Sequence, residues 1–181
     1  MNEVLNAITK RYSCRDFTGE APTKEQIEMI VTAALAAPSA MNMQPWHIVV
    51  VNDKSFLDEM DSTVMVAENK DEPWYNRIQE RGGKMFYNAP CVIFIAIDDS
   101  KWAEHDCAYV SQNITLAAHS LGLGSVICGM AALPLNSPKG PEFLKRLNFP
   151  KGYTLGISVL IGKPNTGKEP HELNRSKVTY A

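Results

Sequence analysis

The hydrophobic and polar positions along the chain follow two different periods. Apolar residues that recur three and four positions apart predict helices, and short uninterrupted apolar runs predict buried strands. The predicted helices cover residues 2–11, residues 23 onward until Pro38, residues 102–121 and residues 142–147. The predicted strands cover residues 47–51, 91–97, 125–127 and 154–161.

This order of elements predicts an α+β protein in which helices cover both faces of a sheet. Residues 54–88 are mixed and mostly helical in character, with Gly82 and Gly83 as a break. We find no internal repeat, low-complexity segment or linker, so the sequence predicts one domain over residues 1–181. A polar tail that contains two prolines follows Gly162.

Composition narrows the class of protein. The chain is 45% hydrophobic and 21% charged, which is ordinary for a globular protein. A net charge of −2 provides no basic field for nucleic acid or an anionic membrane. No apolar run approaches the roughly 20 residues that span a bilayer, and the N-terminal residues lack a signal-peptide pattern. We therefore expect a cytoplasmic protein that binds neither nucleic acid nor membrane.

Cysteine and histidine positions predict neither a disulfide framework nor a metal site. The four cysteines form no C-x-x-C pair, and the four histidines are scattered. Cys14 lies between basic residues, an environment that lowers a thiol pKa. No Ser-His-Asp order or pair of carboxylates stands out, so the sequence predicts no catalytic side chain.

The stretch RYSCR places Arg11, Ser13 and Arg15 at alternate positions. In an extended segment these three side chains point to one side. Two guanidinium groups and a hydroxyl on one side suit a phosphate, because arginine offers paired donors to phosphate oxygens. A solvated basic turn between helices explains the same spacing.

Two prolines, Pro38 and Pro45, bracket a polar loop in front of the first strand. The side-chain amides of Asn42 and Gln44 each offer donors and an acceptor, which suits a flat polar heterocycle. The alternative is that both amides satisfy the backbone of their own loop. We expect Trp46, directly after this loop, in the core.

A third stretch, GLGSVICGM, contains no G-x-G-x-x-G dinucleotide pattern. Gly122 ends the long helix. Gly129 follows a short strand, where a glycine lets a ligand approach the backbone closely or simply forms a turn.

Four segments in this order resemble the motifs of the nitroreductase family, over nearly the whole chain. RYSCRDF is similar to Arg-x-Ser-x-Arg-x-Phe, and APSAMNMQPW is similar to Ala-Pro-Ser-x-x-Asn-x-Gln-Pro-Trp. NAPCVIFIAID resembles the family's Ala-Pro strand, and DCAYVSQNITLAAHSLGLGS resembles its long helix ending in Gly-Leu-Gly. The resemblance implies a nitroreductase-like fold: a mixed, mainly antiparallel sheet flanked by helices in an interlocked homodimer.

The resemblance also implies a bound flavin mononucleotide (FMN) at the subunit interface. The residues that would hold its phosphate and ribityl chain are Arg11, Tyr12, Ser13, Arg15 and Arg175. Pro38, Ser39 and Ala40 would line the isoalloxazine, and the backbone of Cys128 and Gly129 would face its reactive side. Asn42 and Gln44 would hydrogen-bond the polar edge of the ring or the ribityl chain. The tail, about residues 163–181, would wrap the partner subunit.

The activity implied by the family is a ping-pong reaction. FMN takes hydride from NAD(P)H at N5 and passes electrons to a nitroaromatic or quinone-like acceptor, so the cofactor rather than a side chain carries the chemistry. Two alternatives remain: a non-catalytic flavin-binding protein, and a flavoenzyme of the same fold with other reductive chemistry such as dehalogenation.

Two departures from the family pattern limit what carries over. Tyr12 stands where many members have a further arginine, and the middle region that shapes the substrate pocket is short. Trp74, Tyr75 and Phe86 are candidates for lining that pocket, and plain packing explains them equally.

Overall fold

The computed structural model describes residues 2–66 and 69–180, and the elements below belong to that part of the chain. The helices are α1 (Glu3–Lys10), α2 (Lys24–Leu35), α3 (Lys54–Val64), α4 (Tyr75–Gln79), α5 (Ala103–Ser120), α6 (Ala132–Leu135) and α7 (Gly140–Leu147). The strands are β1 (Trp46–Val51), β2 (Cys91–Ile97), β3 (Gly124–Cys128) and β4 (Thr154–Gly162). Short 3-10 turns cover Ala40–Asn42 and Arg175–Lys177.

The four strands form one sheet in the order β1-β2-β4-β3, and each neighbouring pair is antiparallel. A parallel contact is added by a single bridge between Ser13 and Ser125 at the outer edge of β3. The expected fold class, a mainly antiparallel sheet flanked by helices, is confirmed. The two outer strands are β1 and β3, and the segments with candidate chemistry adjoin these two edges.

Each face of the sheet carries its own hydrophobic core. Val92 and Phe94 of β2 point to one face, where α3, α4, α6 and α7 cover them. Ile93 and Ile95 point to the other face, where α2 and α5 cover them. Every residue of β2 is therefore buried, which is why this strand reads as an uninterrupted apolar run.

Most predicted boundaries agree with the structure to within two residues. Asn2 caps α1, and Thr23 with Gln26 forms the capping box that the sequence indicated. The predicted strand at 91–97 matches β2. The helix α6 and the turn at residues 40–42 were not predicted, because elements of three or four residues are too short to show a period.

None of the helices among the described residues is long and apolar enough to cross a membrane.

Candidate functional site

The RYSCR segment runs beside the outer edge of β3. The backbone N–H of Cys14 donates to the carbonyl of Ser125 at 2.9 Å, so the segment is extended there, which is the condition under which the alternate side chains share one side. Gly124 permits this close approach, since a Cβ at that position would lie 2.7 Å from the Sγ of Cys14. Part of the Gly-Leu-Gly motif therefore has a packing role.

A small basic cavity opens along this segment. Its volume is about 260 Å³, and its lining residues are Arg11, Tyr12, Ser13, Arg15, Lys168, Glu169, Pro170 and His171. The Nε of Arg11 is buried and has no hydrogen-bond partner within the described ranges. A buried donor without a partner is costly and calls for an acceptor. The cavity therefore suits an anionic group, although it is smaller than the roughly 300–1,000 Å³ typical of whole-ligand pockets.

The start of the tail forms one wall of this cavity. Asp16 accepts hydrogen bonds from the side chains of Asn165 and Thr166, at 3.2–3.3 Å. The Tyr12 hydroxyl donates to the carbonyl of Thr166 at 3.1 Å. Arg175 lies farther along the tail, is exposed, and does not line the cavity in the described structure.

The Pro38–Pro45 loop has an unusual backbone. Met41, Asn42 and Gln44 have φ angles of 52°, 55° and 49°, in the left-handed region that residues other than glycine seldom adopt. The Ser39 Oγ accepts the Gln44 backbone N–H at 2.9 Å, and the Gln44 amide donates to the Asn42 Oδ1 at 3.0 Å. The two side-chain amides thus bind each other, and among the described contacts neither satisfies the loop backbone.

Within a single chain, the Pro38–Pro45 loop does not reach the basic cavity. The loop leads into β1, while the RYSCR segment lies along β3, at the opposite edge of the sheet. Three inter-strand spacings separate these edges, which is about 14 Å. Among the predicted binding residues, Arg11, Tyr12, Ser13 and Arg15 come together, and Pro38, Ser39, Ala40, Asn42 and Gln44 form a second group.

The end of β3 provides open backbone near the basic cavity. Cys128 lies three residues beyond Ser125, or about 10 Å along the strand. Its side chain is buried, and its carbonyl accepts the Ser158 hydroxyl at 2.6 Å. Gly129 is exposed, and a Cβ there would meet only Ile157 Cδ1, at an ordinary 3.7 Å. No contact with another residue in ranges 2–66 and 69–180 therefore requires glycine at position 129.

The cysteines are not activated nucleophiles. All four are buried and free, and burial raises the pKa of Cys14 and Cys128 and raises the pKa of Cys91 to about 12 and of Cys107 to about 11. The expectation of a lowered Cys14 pKa was wrong, since burial outweighs the charge of Arg15. The described residues contain no group of three or more His, Cys, Asp or Glu that could hold a metal ion.

The three aromatic residues suggested to line the substrate pocket differ in their burial. Tyr75 and Phe86 are buried, and Phe86 belongs to the core under α3. Trp74 is half-buried and lines a separate cavity of about 510 Å³ with residues of α3, α6 and the adjoining loops.

Two buried carboxylates were not predicted. Asp61 accepts the backbone N–H of Phe86 at 3.2 Å, and burial raises its pKa to about 6. Asp106 of α5 accepts the backbone N–H of Ala40 in the loop. The sequence did indicate that Asp106 could be buried, because its position falls on the apolar face of α5 between Ala103 and Val110.

The sequence model of the nitroreductase family matches residues 8–163. The chain belongs to the nitroreductase family, as its motifs indicated. A crystal structure of a nitroreductase with bound FMN from Desulfitobacterium hafniense is similar over 100% of this chain and 99% of that chain, with a TM-score of 0.93 and 46% identity.

Two curated relatives come from archaea, and both carry the provisional name NADH dehydrogenase/NAD(P)H nitroreductase. The protein from Archaeoglobus fulgidus is 30% identical over 95% of this chain and 91% of its own length. The protein from Methanothermobacter thermautotrophicus is 35% identical over 72% of this chain, and the match spans 63% of that relative, less than two thirds of its length.

Proposed function

We propose that the chain is an FMN-dependent oxidoreductase that uses NAD(P)H. The observation that carries this proposal is the buried Nε of Arg11, which has no hydrogen-bond partner among the described residues and belongs to a side chain that lines a basic cavity. The family's solved members include one with bound FMN. A phosphate is the anion that best fits two arginines and a serine on one side of an extended segment.

The edge of β3 fits the rest of the flavin. Ser125 lies beside the proposed phosphate site, and Cys128 lies about 10 Å farther along the strand. An extended ribityl chain of five carbons with its phosphate spans a comparable distance. The backbone of Cys128 and Gly129 would then face the isoalloxazine, and the missing Cβ of Gly129 would allow the ring to approach.

We propose a homodimer in which the Pro38–Pro45 loop of the partner subunit completes the site. The loop of the same chain lies at the opposite edge of the sheet. Helix α1 buries none of its residues, and its apolar side chains Val4, Leu5 and Ile8 are 46–65% exposed. An uncovered apolar helix face is typical of a surface that a second copy covers.

The tail and Arg175 have a place in the same dimer. Residues 171–180 are exposed along their whole length, and they follow directly on the wall of the basic cavity. We propose that this tail wraps the partner subunit, which would bring Arg175 to a phosphate. The rest of the chain forms a single domain, and four free buried thiols favour a cytoplasmic location.

When bound, FMN would take hydride from NAD(P)H at N5 and pass electrons to a nitroaromatic or quinone-like acceptor, with NAD(P)⁺ leaving first. The residues of the chain would hold and orient the bound cofactor. Arg11 and Arg15 would neutralise the phosphate charge, and the Ser13 hydroxyl would donate a hydrogen bond to it. The Pro38–Pro45 loop of the partner subunit would present the amide donors and acceptors that its own Asn42–Gln44 hydrogen bond leaves unused to the polar edge of the ring. The absence of a stored-dinucleotide motif agrees with a nicotinamide that visits and leaves.

The decisive experiment is the visible absorption spectrum of the purified protein before and after anaerobic addition of NADH and then NADPH. A flavin spectrum that bleaches, followed by reoxidation with a quinone or nitroaromatic, is the expected result. A flavin that stays oxidised with both donors indicates a binding protein instead. A colourless protein that takes up no added FMN would exclude the proposal.

A further inference from the structure

The Asp106 carboxylate lies in the first turn of α5 and is buried. Its exposed fraction is 3%, and both of its oxygens accept the same backbone N–H, that of Ala40, at 3.3 and 3.2 Å. Among the described residues we find no other donor to this side chain. A carboxyl group has room for several hydrogen bonds, and burying a polar group with few of them made is costly. Such a group is therefore poorly explained by packing alone.

The Ala40 N–H that Asp106 accepts belongs to the Pro38–Pro45 loop, the segment with the unusual backbone. Ala40 begins the 3-10 turn, and the next two residues have positive φ. Left-handed conformations of non-glycine residues persist only where surrounding contacts over-determine them. Within the loop, Ser39 and Asn42 each receive one hydrogen bond from Gln44. Asp106 supplies the hydrogen bond that ties this assembly to a helix.

Helix α5 is a rigid platform for such an anchor. Its residues Val110, Ile114 and Ala118 are fully buried against the sheet. The Asn113 side chain also donates to the carbonyl of Ala33 at 2.9 Å, which joins α5 to the helix that precedes the loop. The anchor therefore bridges 66 positions of sequence and fixes the loop relative to the sheet.

We propose that Asp106 is a positioning residue of the flavin site, which holds residues 39–44 in the flavin-binding conformation before the cofactor arrives. This inference rests on the proposed function. Preorganisation removes part of the ordering cost that binding must otherwise overcome. Loss of the anchor should therefore weaken FMN binding even though Asp106 itself touches no flavin.

Asp106→Ala and Asp106→Asn separate this role from simple packing. Alanine leaves the Ala40 N–H without an acceptor, whereas the asparagine Oδ1 accepts it at nearly the same place. Thr115→Val is the matched control, because Thr115 is equally buried in α5 and its hydroxyl donates to the carbonyl of Gln112 in the same helix. Should the alanine variant fail to fold, Asp106→Leu fills the space without accepting a hydrogen bond and serves the same test.

Two readouts are needed, and the first requires no cofactor. Amide hydrogen exchange of the flavin-free protein, followed by NMR, measures the protection of the Ala40 N–H. We expect Asp106→Ala to lower that protection at least tenfold, with Asp106→Asn within about threefold of the parent and Thr115→Val unchanged. FMN titration should follow the same order, with a Kd about tenfold weaker for Asp106→Ala.

Equal FMN affinity in Asp106→Ala and the parent would overturn the inference, as would unchanged Ala40 exchange. A parent protein that takes up no FMN overturns the proposed function instead. The exchange comparison then still decides whether Asp106 holds the loop, so the two failures are distinguishable.

Discussion

The RYSCR segment and the Pro38–Pro45 loop are both short polar stretches at the edges of one sheet, and their internal bonding differs. In the first, a buried arginine Nε has no partner among the described residues, and cationic side chains line an open cavity. In the second, Gln44 donates hydrogen bonds to Ser39 and Asn42 within the loop, and a buried carboxylate accepts the Ala40 N–H next to the residues with positive φ. The RYSCR segment thus offers positive charge and an unused donor, and the Pro38–Pro45 loop offers a backbone conformation defined by its own hydrogen bonds.

This difference suggests two ways of contributing to one site. Charged hydrogen bonds to a phosphate are strong contacts that form only when the ligand is present. A preorganised loop makes weaker contacts but lowers the entropy lost on binding. Substitutions in the RYSCR segment should therefore weaken the binding only of a ligand that carries a phosphate. Substitutions in the Pro38–Pro45 loop should weaken the binding of ligands with and without a phosphate alike.

The largest effect is expected from Arg11→Ala. Loss of a buried charged donor should raise the Kd for FMN roughly 10- to 100-fold, since such hydrogen bonds are worth about 1.5–3 kcal/mol. The Kd for riboflavin, which lacks the phosphate, should change little. Fluorescence titration of both ligands measures this, with exposed Arg77→Ala as the control. An equal loss for riboflavin would show that Arg11 does not read the phosphate.

Two glycines near the same strand should respond differently to alanine. Gly124→Ala forces a Cβ within 2.7 Å of the Cys14 Sγ, so the fold should lose about 1–3 kcal/mol. Gly129→Ala meets only an ordinary contact, so unfolding of the flavin-free protein should change by less than about 0.5 kcal/mol. Chemical denaturation tests both. If Gly129→Ala also leaves FMN affinity intact, no ring lies against that backbone.

The loop is tested by Ser39→Ala, which removes the acceptor for the Gln44 N–H. One neutral hydrogen bond contributes about 1 kcal/mol, so we expect FMN and riboflavin affinity to fall together by about fivefold. Ser39→Thr keeps the hydroxyl and should restore both. A loss confined to FMN would contradict the distinction between the two segments.

The smallest effect is expected from Arg15→Ala. Arg15 is exposed, and among the described residues its guanidinium donates only to the Ser13 carbonyl, at 3.4 Å. Solvent screens an exposed charge, so FMN affinity should fall by about threefold, and the loss should disappear at high salt. A loss as large as that of Arg11→Ala, independent of salt, would show that dimer formation buries Arg15.

Local patterns in the sequence were sufficient for most of the fold. The uninterrupted apolar run of β2, the capping box at Thr23 and the stripe of α5 each predicted their element closely. These features depend on neighbours within a few residues.

Neither the positive φ angles of the Pro38–Pro45 loop nor its hydrogen bond to Asp106 could be predicted from local patterns. Positive φ angles at Met41, Asn42 and Gln44 carry no glycine signal, and Asp106 is 66 residues from Ala40. The Cys14 prediction failed for a related reason, since flanking basic residues are visible in the sequence and burial beside Gly124 is not.

By itself, the sequence determined the order of the main elements, the fully buried strand β2 and the residues that carry charge and amides, because these depend on periodicity and residue type. The expectation that the strand at 47–51 is also buried was wrong, because β1 is an edge strand and most of its residues keep some exposure. Only the tertiary structure decided that Arg11 has a buried donor with no partner in the described part of the chain, that position 129 has room for a side chain, and that the two polar segments lie on opposite edges of the sheet. Those properties arise from contacts between residues far apart in the chain, whose distances no local pattern records.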